Sequence, residues 1–167
     1  MQYASRNASF SSCQRYRYSL ERSWSEGSGR VLFIGLNPST ADQGHDDPTI
    51  RRCVGFARSW GFRSMQMVNL FAFKAAHPHV LKQAANPVGC RNDRWIVTSH
   101  AQADQTIACW GNDGSFLHRA DAIRASLQNL YCLKITRHQQ PAHPLYLRAT
   151  LTPSPWLPPA RPSPGNP

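Results

Sequence analysis

Short apolar runs separated by stretches of helical spacing recur along this chain and predict alternating strands and helices. Arg15 to Trp24 alternates, with Tyr16, Tyr18 and Leu20 on one side, the mark of a strand at a sheet edge. Val31 to Leu36 is a continuous apolar run closed by Asn37-Pro38, as a buried parallel strand would be. Asp47 then supplies an N-cap and Pro48 a first helical position. Ile50, Cys53, Val54, Ala57 and Trp60 form the apolar face of that helix, and Gly61 ends it. Met65 to Leu70 predicts a second core strand, Pro78 to Ala84 a short helix, and Asn92 or Asp93 the start of a longer one carrying Trp95, Ile96 and Val97 into the core. Thr106 to Trp110 reads as the third core strand. Asp113 can cap a helix in which Phe116, Leu117, Ala120, Ile123 and Leu127 repeat, and Leu130 to Ile135 reads as the fourth strand.

Alternating strands and helices with right-handed crossovers predict an α/β three-layer sandwich. Its centre is a mainly parallel, four-stranded core sheet, with an N-terminal edge strand added. Residues 1–14 are polar and Ser-rich and are expected to be flexible; 15–151 form a single α/β domain. Residues 152–167 contain seven prolines and are expected to be a tail that joins no ladder.

Composition sharpens this picture. The 167 residues carry 19 Lys and Arg against 9 Asp and Glu, a formal net charge of +10. Asp121 is the last acidic residue, so the basic side chains beyond it are unopposed. A polyanion is the natural partner, single-stranded nucleic acid or a nucleotide; the competing reading is a solvated basic surface. The cysteines at 13, 53, 90, 109 and 132 are scattered and include no Cys-x-x-Cys, which argues against a disulfide framework or a metal site. No apolar run of membrane-spanning length and no secretory leader is visible, so a cytoplasmic protein without a membrane partner is expected.

In open α/β sheets ligands lie beyond the carboxyl ends of the strands. The loops there carry Asn37, Pro38, Ser39, Thr40 and Asp42 after the first core strand, Asn69, Phe71 and Phe73 after the second, Gly111 to Gly114 after the third, and His138 and His143 after the fourth. An Asn amide offers donor and acceptor to a base edge, and Phe supplies a stacking face. Each has a plainer alternative: Asn37 as a turn residue before Pro38, Asn69 as a strand-end amide, the Phe rings as core, His143 as a surface histidine. Asp47 is explained by its cap, which leaves Asp42 or Asp46 to orient a water or a metal.

The motifs VLFIGLNPSTAD, DDPTIRRC, VNLFAFKA, NPVGCRND, ACWG and HPLYL, in that order, resemble an uncharacterised bacterial and phage family, the domain of unknown function numbered sixteen forty-three. That family is in turn similar, more distantly, to the uracil-DNA glycosylase superfamily. The resemblance implies a uracil-DNA glycosylase-like fold with core strands in the order 2-1-3-4. It also implies a water held by Asn37 of Gly35-Leu36-Asn37-Pro38-Ser39, a base edge read by Asn69, and a leaving base supported by His143 of His143-Pro144. The pattern departs at Ser39, where relatives have Gly, and at Leu145, where many have Ser; no wedge for entering a duplex is evident.

These readings combine into an N-glycosidase expected to need neither metal nor cofactor. Asn37, His143 and Asp42 would be catalytic; Asn69, Phe71, Pro38 and Trp110 would hold the base; Ser39, Thr40, Arg51, Arg52 and Gly111 would meet phosphate. A solvated helix face explains Arg51 and Arg52 equally well. A non-catalytic nucleic-acid or modified-base binding module and an enzyme acting on a small nucleotide derivative are the rival expectations.

Overall fold

The computed structural model describes residues 1–157. They form one mixed sheet of seven strands, in the order β1-β2-β4-β3-β5-β6-β7, and four α-helices. The strands are β1 (Ser5–Phe10), β2 (Arg17–Ser23), β3 (Arg30–Gly35), β4 (Ser64–Asn69), β5 (Gln105–Ala108), β6 (Leu130–Cys132) and β7 (Ser154–Pro155). The helices are α1 (Pro48–Ser59), α2 (Pro78–Gln83), α3 (Asn92–Gln102) and α4 (Arg119–Ser126). β3 pairs in parallel with β4 and with β5, and β5 with β6; β1, β2 and β7 join antiparallel.

Alternation along β3 sorts its side chains into two cores. Val31 and Phe33 pack with Ile50, Val54 and Ala57 of α1 on one face, whereas Leu32 and Ile34 pack with Leu81, Ile96 and Ile123 of α2, α3 and α4 on the other. Every one of these side chains is buried, so β3 is shielded on both sides, as its unbroken apolar run requires. α1 starts where local chemistry predicts: the Asp47 carboxylate accepts the Ile50 N–H at 2.8 Å, and Pro48 follows it.

Several expectations are corrected. Residues 1–14 carry β1, an outer strand held to β2 from Ser5↔Ser23 onward; its polar side chains conceal a ladder made by backbone. The strand read from Arg15 to Trp24 is therefore interior to the sheet, paired to β4 on its other side. The start of the proline-rich segment joins the ladder as β7, where Pro155 sits on an outermost strand that can lack an N–H. The remainder of the expected tail, 158–167, lies outside the described residues. Val97 points outward, 48% exposed, while Ile96 is buried. The helix expected from Asp113 is broken: Asn112–His118 is a 3-10 segment, Leu117 and His118 adopt left-handed backbone, and α4 starts only at Arg119. Asp113 does not cap it, because its carboxylate pairs with Lys82 at 2.7 Å. The fourth core strand stops at Cys132, short of Ile135. Among the described residues no helix is long and apolar enough to cross a membrane.

Candidate functional site

A cleft of about 470 Å³ opens at the carboxyl ends of β3, β4 and β5. Backbone hydrogen bonds first join the loops that line it. Beyond the last paired residues of β3 and β4, Leu70 N–H donates to Gly35 O, Phe71 N–H to Leu36 O and Ala75 N–H to Pro38 O, each at 2.9 Å. On the other side Gly111 N–H donates to Pro141 O at 2.8 Å, and Thr136 Oγ1 donates to Asn112 Oδ1 at 2.6 Å. The loop after β6 is thereby folded back against the loop after β5, and His143 reaches the cleft.

Asn37, Ser39, Asn69, Trp110, Gly111 and His143 line this one cleft. The Asn37 Nδ2 group donates to Pro38 O at 2.9 Å and Ala75 O at 2.8 Å. Both amide protons are used, so the side chain is fixed with its Oδ1 as acceptor. Asn69 is 4% exposed, and its Oδ1 has no hydrogen-bond partner among the described residues. The strand end that bears it is held: buried Asn92 donates Nδ2 to Asn69 O and Leu70 O, and Arg119 donates to Leu70 O while pairing with Asp93. A partnerless acceptor on an anchored strand end leaves a polar group for a ligand to satisfy.

His143 caps the short turn Pro144–Tyr146, its Nδ1 accepting from Leu145 N–H at 3.3 Å. That bond selects the tautomer with the proton on Nε2. Burial pushes the imidazole below its ordinary value, against the opposing pull of Asp47, so the ring is a neutral Nε2–H donor at neutral pH. Gly35 adds a local condition for the site. A Cβ there would lie 2.8 Å from Asn69 Nδ2, so only glycine leaves this amide its place.

Other expected residues lie elsewhere or are engaged. Phe71 is fully buried in the core against Phe116, so the apolar packing beneath the sheet takes the ring that was expected to stack on a base. Pro38 is buried, and its carbonyl accepts from Asn37 and Ala75. Trp110 is 1% exposed; its ring lies under Gly114, meets Trp156 edge-on and donates Nε1–H to Gln140, so it forms wall and not a stacking platform. Asp42 lies outside the cleft lining and accepts from Gly44 and His45 N–H, which holds its carboxyl below the usual range. Thr40 is exposed and outside the lining as well. Arg51 donates to Asp46 O, and Arg52 donates to Leu147 O and lies over Phe56; both border a different groove. Gly111 lines the cleft at φ +75°, but its N–H is already bonded.

Two charged lining residues escaped the sequence reading. Asp47 was explained by its cap and yet faces the cleft. Arg17, in a strand read as an edge, is 2% exposed and borders the cleft from the first position of β2. A charged residue within the alternating run was the one available signal. Cys109 lies on the same wall, its thiol bonded to Ile34 O at 3.4 Å. Among the described residues no three His, Cys, Asp or Glu side chains gather as metal ligands.

The profile of a family described as "Protein of unknown function (DUF1643)" matches residues 17–145. No curated protein and no solved structure matches the chain.

Proposed function

The chain belongs to the DUF1643 family, and from the make-up of its cleft we propose that it binds a single nucleobase there and cleaves the base's N-glycosidic bond without a metal. The observation that carries this reading is the meeting of Asn37, Asn69 and His143, from two loops and a strand end, around one cleft in which the Asn69 amide oxygen is buried and, among the described residues, unpartnered. Asn69 accepts from a donor on the base edge and supplies selectivity, because a base without that donor leaves a buried acceptor unmet. Asn37 Oδ1 holds a water for attack on the anomeric carbon. As the carbon–nitrogen bond breaks, its electron pair stays on the base, His143 Nε2–H stabilises the charge that develops there, and the departing base finally takes up the proton that the attacking water sheds. Of the two carboxylates on the cleft wall Asp113 pairs with Lys82, which leaves Asp47 to balance positive charge on the sugar. The more distant likeness to uracil-DNA glycosylases supports the same roles, as does the net charge of +10 for a polyanionic partner.

Single-turnover base release from single-stranded oligonucleotides carrying different modified bases, measured beside equilibrium binding, tests the proposal. Asn37→Ala should slow release on the order of a hundredfold while binding changes little. Asn69→Ala should weaken both. One observation favours a second reading, a modified-base binding module: Asp42, the carboxylate expected to orient the water, lies outside the cleft. Tight binding without release, unchanged by Asn37→Ala, would decide for the module.

A further inference from the structure

Arg17 is the most unusual polar group of the cleft. It projects from an interior strand, is 2% exposed, and spends Nη1 on Ala41 O at 2.8 Å. Among the described residues its buried Nε has no partner and no carboxylate forms an ion pair with it. Arg22, five residues on and facing it as a like charge, shows the ordinary solution: equally buried, it pairs with Asp46 at 2.8 Å. The acids that face Arg17 are Asp47 and Asp42. Asp47 has Oδ1 committed to Ile50 N–H, and Asp42 accepts from Gly44 and His45. Burial depresses the guanidinium to about 10, so it stays charged at neutral pH. A buried cation with no carboxylate in ion-pair contact is costly, and an arriving anion recovers part of that cost.

The surroundings suit that anion. Arg17 shares the cleft wall with Ser39, with Thr49 and with the start of the twelve-residue helix α1, whose dipole favours negative charge. Because residue 48 is proline, the Thr49 amide is the first N–H of that helix. Guanidinium, hydroxyls and helix start occupy the same cleft as Asn69.

We propose that this corner of the cleft is an oxyanion site, and that the ligand presents a phosphate to the Arg17 guanidinium while its base lies at Asn69. This rests on the nucleobase reading above and narrows it from a free base to a nucleotide unit. The phosphate belongs either to a nucleoside monophosphate or to a strand.

Calorimetric titration of the whole chain with the common nucleosides, their 5′-monophosphates, inorganic phosphate and a short single-stranded oligonucleotide tests it. A monophosphate should bind roughly tenfold or more tightly than its nucleoside, as a charge-assisted bond to a buried cation implies. Arg17→Met should abolish that advantage while leaving the nucleoside's affinity unchanged. Arg17→Gln keeps a donor for Ala41 O and should behave alike, which guards against a folding defect in the first variant. Removing an uncompensated buried charge should also leave the melting temperature of the ligand-free protein no lower than wild type. If the oligonucleotide alone shows an Arg17-dependent gain, the phosphate is that of a strand. If inorganic phosphate raises the wild-type melting temperature but not that of Arg17→Met, while no nucleoside or nucleotide binds, the oxyanion site stands and the nucleobase reading falls. Monophosphate and nucleoside binding equally with no Arg17-dependent gain for the oligonucleotide, or a phosphate advantage that survives in both Arg17 variants, would overturn the proposal.

Discussion

Gly35→Ala probes the geometry of the cleft without any ligand. Gly35 is the last residue of β3 and sits beside Asn69 in the parallel register. An added Cβ would lie 2.8 Å from Asn69 Nδ2 and 3.3 Å from Met67 Sδ. The thioether end of Met67 is flexible and can give, whereas the Asn69 amide is enclosed and must rotate away. Overpacking of this kind costs about 1–3 kcal/mol, offset by roughly 0.4–1 kcal/mol from a less flexible unfolded chain. For a domain of this size each kcal/mol is worth about 2–4 °C. The melting temperature of Gly35→Ala should therefore fall by several degrees. Asn69→Ala, which removes a buried amide with an unpartnered oxygen, should cost little by itself. In the double variant the methyl at position 35 occupies the space the amide left, and the penalty should shrink by about 0.5–3 kcal/mol of coupling. Urea denaturation of the four proteins, followed by circular dichroism, measures that coupling. An equal loss from Gly35→Ala in both backgrounds would refute the claim that this glycine exists to seat Asn69.

Asp47→Ala should cost about 1 kcal/mol by removing the cap of α1, and Asp47→Asn, which can still accept from Ile50 N–H, should cost less; equal melting temperatures would remove the cap from the account. Asp46→Ala strands the fully buried Arg22 and should cost about 3–5 kcal/mol in urea denaturation, and a loss below 1 kcal/mol would show that the backbone carbonyls around Arg22 suffice. His143 and His100 are both held by burial below the ordinary value of 6.5. As pH falls through 6.5 the unfolded chain takes up protons first, so stability is full above that pH and is lost down to the depressed folded values. His143→Gln should flatten part of that decline, and a pH–stability curve identical to wild type would contradict it.

The site was legible in the sequence where a residue's role depends on its immediate neighbours. Asn37 before Pro38, and His143 before Pro144, both stand in loops after apolar runs, and the structure brings both to the cleft. Phe71 was misread because nothing nearby in sequence tells a ring that follows a strand whether it turns to the cleft or to Phe116, forty-five residues on. Asp42 and Asp47 differ in the same way. One is taken up by the turn it sits in, while the other faces the cleft in addition to its cap.

By itself the chain's pattern determined the elements whose causes are local. The Asp47-Pro48 start of α1 follows from orphan N–H groups one turn away, and the division of Val31 and Phe33 from Leu32 and Ile34 follows from the two-residue period of a strand. Tertiary structure alone decided which polar groups are left over. β1 is a strand only because β2 offers it a free edge, and the break before α4 appears only where Gly114 lies against the Trp110 ring. In sequence Arg17 is one more basic residue on an alternating strand read as a sheet edge. It becomes a buried, partly unsatisfied cation because β1 covers β2 and the Ala41 carbonyl, twenty-four residues away, takes only one of its donors. Hydrogen-bond satisfaction is a property of the whole assembled neighbourhood, and no window of sequence contains it.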